Sequence, residues 1–485
     1  MESNPTRRHH DSVLTAAGLA GPQSVEDLSG QPAVDTICAV ATAPGGALGI
    51  VRVSGSQALA AVSAIFSKDL RQETARTLHH GFIREPAGDI VDEVVVSIMR
   101  APHSYTGDDS AEITCHGSAY ILSRILTLLC DNGCRTALPG EYTMRAYLNG
   151  KLDLSQAEAV ADVIAASNAA THRVAMSQLR GGISTELGQL REQLLRLTSL
   201  LELELDFSDH EDLVFADRTE LLDLARQIDS RVSRLAHSFE TGQALKHGIP
   251  VAIVGQTNVG KSTLLNRLLH DDRAIVSAVH GTTRDTIEDV VNLHGVAFRF
   301  IDTAGLRDTS DVVEQIGIQR THQAIERARI VVWLTDQRPT PLEISEMQEL
   351  CEGKEMIVVQ NKVDTASDYD RQPWTCPMYF ISAKHDIGIA ALEEAIFAAA
   401  HLSSFLSESS GEEPLIISNA RHYEVLLRAQ SHLAAVMSSI QAGLSGDLIA
   451  EDLRAVLNTL AEITGTQITP QETLSNIFSH FCVGK

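Results

Sequence analysis

Apolar residues recur with a helical period in two separate parts of the chain. In the first part, leucines spaced three and four residues apart fall on one face of a helix: Leu187, Leu190, Leu194, Leu197 and Leu201. The same period returns in Arg421–Met437 and Asp447–Ile463. The run Thr469-Pro-Gln-Glu472 has the form of a capping box that begins a last helix. These patterns predict the core of a helical bundle.

The residues before the first helical part follow strand patterns. Thr36–Val40 and Gly49–Val53 are strand-like on either side of a Pro-Gly-Gly turn, and Ile90–Met99 alternates apolar and polar residues. A short helix is predicted at Ile121–Leu129. Together these elements are typical of an α+β domain.

Between the two helical parts, short buried-strand runs alternate with helical ones, which is typical of an α/β sheet. One loop between them, Gly255-Gln-Thr-Asn-Val-Gly-Lys-Ser262, follows the strand run Ile249–Val254 and precedes the helical run Thr263–Leu269. Such a loop binds nucleotide phosphates through backbone N–H groups at a helix N-terminus, while its lysine reaches the β- and γ-phosphates and its serine ligates Mg²⁺. We expect the phosphates to contact Asn258, Val259, Gly260, Lys261, Ser262 and Thr263.

Three later segments predict that the nucleotide is GTP. The first, Asp302-Thr303-Ala304-Gly305, follows a strand run and supplies an acidic side chain for the Mg²⁺ shell near the γ-phosphate. The second contains Asn361, Lys362 and Asp364, whose carboxylate only accepts hydrogen bonds and so matches the paired donors of guanine. The third, Ser382-Ala383-Lys384, resembles the loop behind the base.

A switch loop is predicted between the first two motifs. In Gly281-Thr-Thr-Arg-Asp285, the Thr283 hydroxyl is placed to complete Mg²⁺ coordination. Leu306 stands where Ras-like proteins have a water-orienting Gln. Asn258 and the segment Ser277–Thr283 resemble the potassium-activated GTPases, in which an Asn carbonyl and loop oxygens bind K⁺ where an arginine finger would otherwise act.

These patterns predict a multidomain chain in which a Ras-like α/β P-loop GTPase domain is inserted into an all-α helical bundle, after an α+β N-terminal domain. The predicted divisions are a disordered tail over 1–34, the N-terminal domain over 35–150, the first half of the helical domain over 151–247, the GTPase domain over 248–405 and the second helical half over 406–485.

Composition limits the binding partners, the compartment and the metal sites that the sequence allows. A net charge of −24 argues against a broad nucleic-acid surface, so a bound RNA requires a local basic patch or a partner. Seven cysteines scattered along the chain indicate a reducing compartment. Cys130 and Cys134 have the spacing of a metal pair, but no second pair accompanies them, which favours core thiols. No apolar run approaches the ~18 residues of a membrane span.

Further motifs extend a family resemblance over residues 35–485. Together with the GTPase motifs, they resemble the tRNA-modification GTPase family called MnmE or TrmE. They are Thr42-Ala-Pro-Gly-Gly46, Gly49-Ile-Val-Arg-Val-Ser-Gly55, Tyr105-Thr-Gly-Asp-Asp-Ser-Ala-Glu112, Pro139-Gly-Glu-Tyr-Thr-Met-Arg-Ala146, Lys151-Leu-Asp-Leu-Ser-Gln-Ala-Glu158 and Cys482-Val-Gly-Lys485.

The resemblance implies a cytoplasmic homodimer, built through N-terminal domains that bind a tetrahydrofolate one-carbon donor. Its folate-contacting positions fall on Arg52, Glu112, Lys151 and Lys485. With an FAD- and NADH-dependent flavoprotein, in a heterotetramer or larger complex, the family adds an aminomethyl or carboxymethylaminomethyl group to C5 of the wobble uridine of certain tRNAs.

The resemblance also assigns roles around GTP. Ser277, the Val279 backbone and Thr282 join Asn258 around one K⁺ in each site. Glu314 takes the water-positioning role that Leu306 cannot perform. The implied catalytic residues are Glu314, Lys261 and Thr283, while Cys482 is either catalytic or packed beside the folate.

Two other classes of function remain open from the sequence. One is a ribosome-assembly GTPase, which also uses an Asn-containing phosphate loop but normally carries a basic RNA-binding appendage. The other is a regulatory nucleotide switch whose first domain only mediates dimerisation. Folate binding by the N-terminal domain separates the switch from a modification enzyme.

Overall fold

A computed structural model describes residues 35–206, 218–270, 289–301, 314–364, 378–402, 415–466 and 471–479, with residues 481, 482 and 484. These residues form two compact units. Unit 1 contains the described residues from 35 to 149 and from 471 to 484, and unit 2 contains those from 150 to 466.

Unit 1 is built on a six-stranded sheet. Its strands are β1 Thr36–Val40, β2 Leu48–Ser54, β3 Thr77–Arg84, β4 Ile90–Met99, β5 Ser110–His116 and β6 Cys134–Thr136. They lie in the order β3-β4-β5-β2-β1-β6. Neighbouring strands are antiparallel, except that β1 and β6 are parallel. Sequence patterns predict β1, β2 and β4 close to these positions.

The two faces of this sheet differ because its strands alternate. In β4, Val94, Val96 and Ile98 are buried on one face. They share a core with helices α1, Ala58–Ile65, and α2, Ala119–Asp131. One face of the sheet is therefore closed by helices.

The opposite face is covered only in part. Helix α3, Glu141–Leu148, contributes Tyr142 to a small cluster with Ile37 and Ala39 of β1. Further along the same face, Leu78 is 73% exposed and Leu48 is 63% exposed. These two leucines lie on different strands of this face, with β4 and β5 between them.

The C-terminal residues pack within unit 1. Phe478, in the helix Gln471–Ser479, and Phe481 are both buried. They lie against Gly140, where a Cβ would be 2.7 Å from the Phe478 carbonyl oxygen and 3.0 Å from Phe481 Cβ. The predicted second helical half, over 406–485, includes the described residues from 471 to 484. In the structure these residues make their contacts in unit 1, because Phe478 and Phe481 are buried there. The predicted capping box lies partly outside the described residues.

Unit 2 combines a helical part with an α/β part. Its helices are α4 Leu154–Ala165, α5 Ala169–Leu179, α6 Gly182–Asp206, α7 Arg218–His247, α8 Lys261–His270, α9 Glu314–Arg327, α10 Pro341–Leu350, α11 Ile389–Ala399, α12 Ala420–Gln441 and α13 Gly446–Thr464. The predicted leucine stripe of α6 is confirmed, since all five leucines are buried in a core shared with α7, α12 and α13. Helix α5 begins where Asn168 forms a capping box with Thr171, and it is separated from α6 at Gly181, which has φ +85°.

The α/β part contains a second six-stranded sheet. Its strands are β7 Ile249–Val254, β8 Asp289–Leu293, β9 Val296–Ile301, β10 Ile330–Thr335, β11 Glu355–Gln360 and β12 Met378–Phe380. They lie in the order β12-β11-β10-β7-β9-β8, and only β8 and β9 pair antiparallel. Apolar residues are buried on both faces of the sheet, as expected of a mostly parallel sheet flanked by helices. Among the helices of the described ranges, none combines the length and the apolar character that a membrane crossing needs.

Candidate nucleotide-binding site

The loop from Gly255 to Gly260 connects β7 to α8 and is tightly packed. Gly255 has φ +150°, and a Cβ there would lie 2.1 Å from the Leu334 carbonyl oxygen. Gly260 has φ +101°, and a Cβ there would lie 2.4 Å from Asn361 Nδ2. Glycine is required at both positions, because any side chain would collide with the ends of β10 and β11.

Lys261 begins α8, and its ammonium turns back over this loop. Its Nζ donates hydrogen bonds to the carbonyl oxygens of Gly255 at 2.8 Å and Gln256 at 2.7 Å. Burial lowers the pKa of Lys261. Ser262 follows it, half-buried, and Thr263 is exposed. A cation and a hydroxyl therefore lie at a helix N-terminus, which attracts phosphate groups.

Asn361 joins the phosphate loop to the other predicted motifs. Its side chain is buried, Nδ2 donates to the Val259 carbonyl oxygen at 2.8 Å, and Oδ1 accepts a hydrogen bond from the Ala383 N–H at 3.0 Å. The structure thus brings together three segments that are far apart in sequence. The adjacent Lys384 is exposed.

Asp364 is exposed at the same edge of the sheet. Ser382 Oγ donates to Asp364 Oδ1 at 2.5 Å, and His385 Nε2 lies 3.5 Å from Oδ2. The hydrogen bond from Ser382 is the main cause that holds the pKa of the Asp364 carboxyl below its ordinary value. The resulting carboxylate accepts hydrogen bonds and suits the N–H donors on the edge of guanine.

Sequence reasoning did not identify several residues that support this site. Besides His385, Asp336 was not identified: its Oδ2 accepts a hydrogen bond at 3.1 Å from Nζ of the predicted residue Lys362, whose backbone has φ +63°. Arg267 of α8 forms a two-pronged ion pair with Asp386, in which Nε lies 2.8 Å from Oδ1. That pair ties the helix after the phosphate loop to the loop behind the base. The only signal in the sequence was that Asp336 follows a strand and that His385 and Asp386 follow Ser-Ala-Lys.

Part of the predicted metal and switch set lies outside the described residues: Ser277, Val279, Thr282, Thr283, Asp302, Thr303, Ala304 and Gly305. Glu314 is the first residue of α9, and only its backbone is described.

Asn258 is exposed with φ +64°, a conformation that Asn tolerates well. The Asn258 amide oxygen and the Ser262 hydroxyl are neutral oxygen donors, which fit K⁺ and Mg²⁺. Within the described part of the chain, no group of three or more His, Cys, Asp and Glu side chains is arranged to hold a metal ion.

Two residues of a second predicted set, Arg52 and Glu112, meet in unit 1. Arg52 of β2 lies opposite Glu112 of β5, and its Nε donates to Glu112 Oε1 at 2.8 Å. Arg52 Nη2 lies 2.8 Å from the same oxygen, and Nη1 donates to the Gly484 carbonyl oxygen at 3.0 Å. Arg52 and Glu112 remain 24% and 28% exposed. Lys151 belongs to unit 2 and is exposed, and Lys485 lies outside the described ranges.

Two tyrosines flank the Arg52 guanidinium. Its carbon lies 5.6 Å from the ring centre of Tyr142 and 6.0 Å from that of Tyr105, within reach of cation–π attraction. The Tyr142 hydroxyl donates to the Arg52 carbonyl oxygen at 2.9 Å, and the Tyr105 hydroxyl lies 2.8 Å from Thr143 Oγ1. Neither tyrosine was predicted to take part in this site.

Among the described cysteines, Cys482 is exposed, Cys130 is partly buried and the others are buried. Cys130 Sγ lies 3.9 Å from Cys38 Sγ, and Cys134 is buried. Burial raises the pKa of Cys130 to about 11, which keeps it a thiol and a poor metal ligand. Cys482 is exposed, and its carbonyl oxygen accepts a hydrogen bond from the Gly140 N–H at 3.4 Å.

The motif from Lys151 to Glu158 joins helices of unit 2. Asp153 caps α4 through the Gln156 N–H and accepts a hydrogen bond from Ser184 Oγ of α6 at 2.5 Å. Gln156 Nε2 donates to the Leu179 carbonyl oxygen at the end of α5 at 3.0 Å. These two polar side chains fix the mutual positions of three helices.

Glu158 extends this brace to α12. Its carboxylate accepts hydrogen bonds from Arg421 at 2.9 Å and lies 2.8 Å from His422 Nε2. Burial opposes ionisation of Glu158, but hydrogen bonds from His422 and Arg421 outweigh it and lower the pKa of Glu158 to about 2. The helical halves on either side of the α/β part are thus held by a buried charge pair.

Family models and relatives match almost the whole chain. The model for the MnmE helical domain matches residues 154–482, and the model for the GTP-binding protein TrmE N-terminus matches residues 36–151. The protein named tRNA modification GTPase MnmE in Phocaeicola vulgatus is 49% identical over 499 residues, with 93% of this chain and 99% of that one covered. A relative of the same name in Porphyromonas gingivalis is 48% identical over 479 residues, with 93% and 98% covered.

Among solved structures, the G domains of the FeoB iron transporter from T. maritima and of FeoB from Methanococcus jannaschii match 31% of this chain. They are 23% and 24% identical to it, and 98% and 96% of their own chains are covered. Their TM-scores are 0.24 and 0.22, and likenesses at this level support no inference.

Proposed function

This chain belongs to the family of tRNA modification GTPases named MnmE or TrmE, and on that premise we propose that it hydrolyses GTP during modification of C5 of the wobble uridine in certain tRNAs. The observation that carries this proposal is the pair of hydrogen bonds made by Asn361. They tie the loop before α8 to the loop after β12, in which Ser382 donates a hydrogen bond to the Asp364 carboxylate. That combination suits a guanine nucleotide.

The chemistry of hydrolysis depends mainly on charge neutralisation and water positioning. Lys261 neutralises charge at the phosphates, and Glu314 orients the attacking water through its carboxylate. Bound Mg²⁺ and K⁺ supply further positive charge. The residues proposed to hold Mg²⁺ are Ser262 and Thr283, with the Asp302 carboxylate supporting the Mg²⁺ shell, and those proposed to hold K⁺ are Asn258, Ser277, Val279 and Thr282.

Modification requires a carbon source, because GTP hydrolysis releases no carbon. We propose that unit 1 binds a tetrahydrofolate one-carbon donor at Arg52 and Glu112, with Lys151 and Lys485 as further contacts. The partly exposed ion pair between Arg52 and Glu112 supports this assignment. Arg52 directs donors to Glu112 and to the Gly484 carbonyl oxygen, so its main task is to hold these groups in position. An FAD- and NADH-dependent flavoprotein partner supplies the redox chemistry.

We further propose a homodimer through unit 1, in the cytoplasm. The open face of the unit 1 sheet supports the dimer, because large apolar side chains such as Leu78 are exposed there. The described cysteines support a reducing compartment, since all of them are free.

The test is analysis of wobble uridines by mass spectrometry in cells that lack this protein. We expect the C5 modification to be lost, to return with the wild-type protein and to stay absent with Lys261→Ala. Lys246→Ala is a matched control, because this lysine pairs with Asp162 in the helical part. If the wobble uridines are fully modified without the protein, the modification function is wrong and a purely regulatory GTPase is favoured.

A further inference from the structure

His385 places a titratable ring beside the carboxylate that is proposed to bind guanine. Its Nε2 lies 3.5 Å from Asp364 Oδ2, and the two side chains are 51% and 23% exposed. The His385 N–H donates to Ser382 Oγ at 3.3 Å, and the same hydroxyl donates to Asp364 Oδ1. Ser382 therefore positions both partners, one through its backbone and the other through its carboxylate.

The two oxygens of Asp364 are engaged unequally. Oδ1 accepts the hydrogen bond from Ser382, whereas the contact of His385 with Oδ2 is longer than the roughly 2.7–2.9 Å of a charge-assisted hydrogen bond. The attraction between the ring and Oδ2 is therefore mainly electrostatic, and it requires a protonated imidazole. The two parallel N–H donors of guanine suit the two oxygens of a carboxylate, so one donor falls on Oδ2.

The other charged groups that the structure describes around His385 keep their charge near neutral pH. Hydrogen bonding from Ser382 is the main cause that lowers the pKa of the Asp364 carboxyl, so Asp364 is ionised there. Lys384 acts on the same carboxylate and stays positive. The remaining charges form two ion pairs, Arg267–Asp386 and Lys362–Asp336. Within this set, the histidine is the group whose charge changes between about pH 5.5 and 8.

We propose that His385 makes the base site sensitive to acid, because its protonated ring competes with guanine for Asp364 Oδ2. The same positive charge attracts the phosphates of the nucleotide. The phosphates, however, bind at the N-terminus of α8, at the other end of the nucleotide, and salt screens charges beyond about 8 Å. The contact at 3.5 Å therefore decides the sign of the effect. This inference rests on the proposed binding of GTP, and it gives the site a means of releasing nucleotide as the pH falls.

The experiment measures GDP binding to the full-length protein by calorimetry at pH 8 and pH 5.5, at one ionic strength. GDP carries the same base as GTP and is not hydrolysed. From pH 8 to 5.5, we expect the wild type to lose about two- to fivefold more affinity than His385→Asn, as for one exposed ion pair. The phosphates of GDP titrate alike with both proteins, so the difference reports the ring. His385→Lys keeps a positive charge and should bind more weakly than the wild type at pH 8 and about as weakly at pH 5.5.

His401→Asn is a matched control, because His401 Nε2 lies 2.9 Å from Glu355 Oε1 in the same α/β part and both side chains are exposed. It should follow the wild type at both pH values, and circular dichroism checks that each variant is folded. If His385→Asn responds to pH as the wild type does, the competition is wrong. If the wild type binds GDP more tightly than His385→Asn at pH 5.5, the competition is also wrong, because His385 then supports the carboxylate. If the folded wild type binds no GDP at either pH, the proposed GTPase function is wrong together with the role of His385.

Discussion

At the scale of single residues, the Asp364 carboxylate is proposed to determine the choice of base. Asp364→Asn replaces one acceptor oxygen by a donor, which opposes the N–H groups of guanine and matches a carbonyl oxygen of xanthine. We expect GTP affinity to fall roughly 10- to 100-fold and xanthosine triphosphate to become the preferred nucleotide. Competition binding with a fluorescent nucleotide measures both, and an unchanged preference for guanine would show that Asp364 does not contact the base.

Asn258 leads to a prediction about the monovalent cation. GTP turnover should be on the order of 10-fold faster in K⁺ than in Na⁺, because a cation beside the phosphates neutralises charge that develops in the transition state. Nucleotide affinity, measured in each salt, is the control and should change little. Equal turnover in the two salts would contradict a potassium site formed by Asn258 and the segment 277–283.

The nucleotide motifs were predictable because their chemistry is carried by side chains at short, fixed spacing. The contacts of His385 and Tyr105 were not, because their partners are brought together only by the fold. His385 meets Asp364 across 21 positions, and Tyr105 meets Thr143 across 38. No spacing rule selects such partners from a single sequence.

At the scale of elements, periodicity predicted where helices occur but not what joins them. The leucine stripe of α6 identified its buried face, since that face follows from the period alone. The brace from Asp153 to Glu158 was visible only as a family motif. Its role became clear when the structure placed Glu158 against Arg421 and His422 of α12.

Glu158→Gln should therefore lower the local stability of the helical part of unit 2. The pKa of Glu158 is lowered to about 2 in the folded state, so its ionised form stabilises the fold above its ordinary pKa of 4.5 and loses this effect as the pH falls toward 2. At pH 7 we expect a loss of about 3 kcal/mol in local stability. Hydrogen exchange in α4 and α12, measured from pH 7 downward, should show the variant and wild type converging between about pH 4.5 and 2.

Glu462→Gln is the control for this variant. Glu462 pairs with Arg428 at 2.6 Å, but both side chains are about half exposed. An exposed pair contributes less than about 1 kcal/mol, so this substitution should change exchange little. Equal changes in hydrogen exchange for the two substitutions would mean that burial does not increase the contribution of Glu158 to stability.

At the scale of the whole molecule, each unit presents one candidate site. Unit 2 holds the loops proposed to bind GTP, and unit 1 holds the Arg52–Glu112 pair proposed to bind the one-carbon donor. The order of α/β and helical patterns along the chain was predictable from periodicity. The packing of residues 471–484 within unit 1 was not, because it depends on Phe478 and Phe481 finding Gly140 more than 300 positions away.

The open sheet face of unit 1 leads to a prediction about assembly. Leu78 and Val95 project from that face, and a charge placed among them would have to be buried on dimerisation without a partner. We expect Leu78→Glu to raise the dimer dissociation constant at least about 10-fold, as for a central interface residue. Tyr120→Glu is the control, because Tyr120 is 71% exposed on α2, which lies against the other face. Analytical ultracentrifugation over a concentration series should show the Leu78 variant dissociating first. A Leu78→Glu protein that remains as dimeric as the control would exclude this face as the interface.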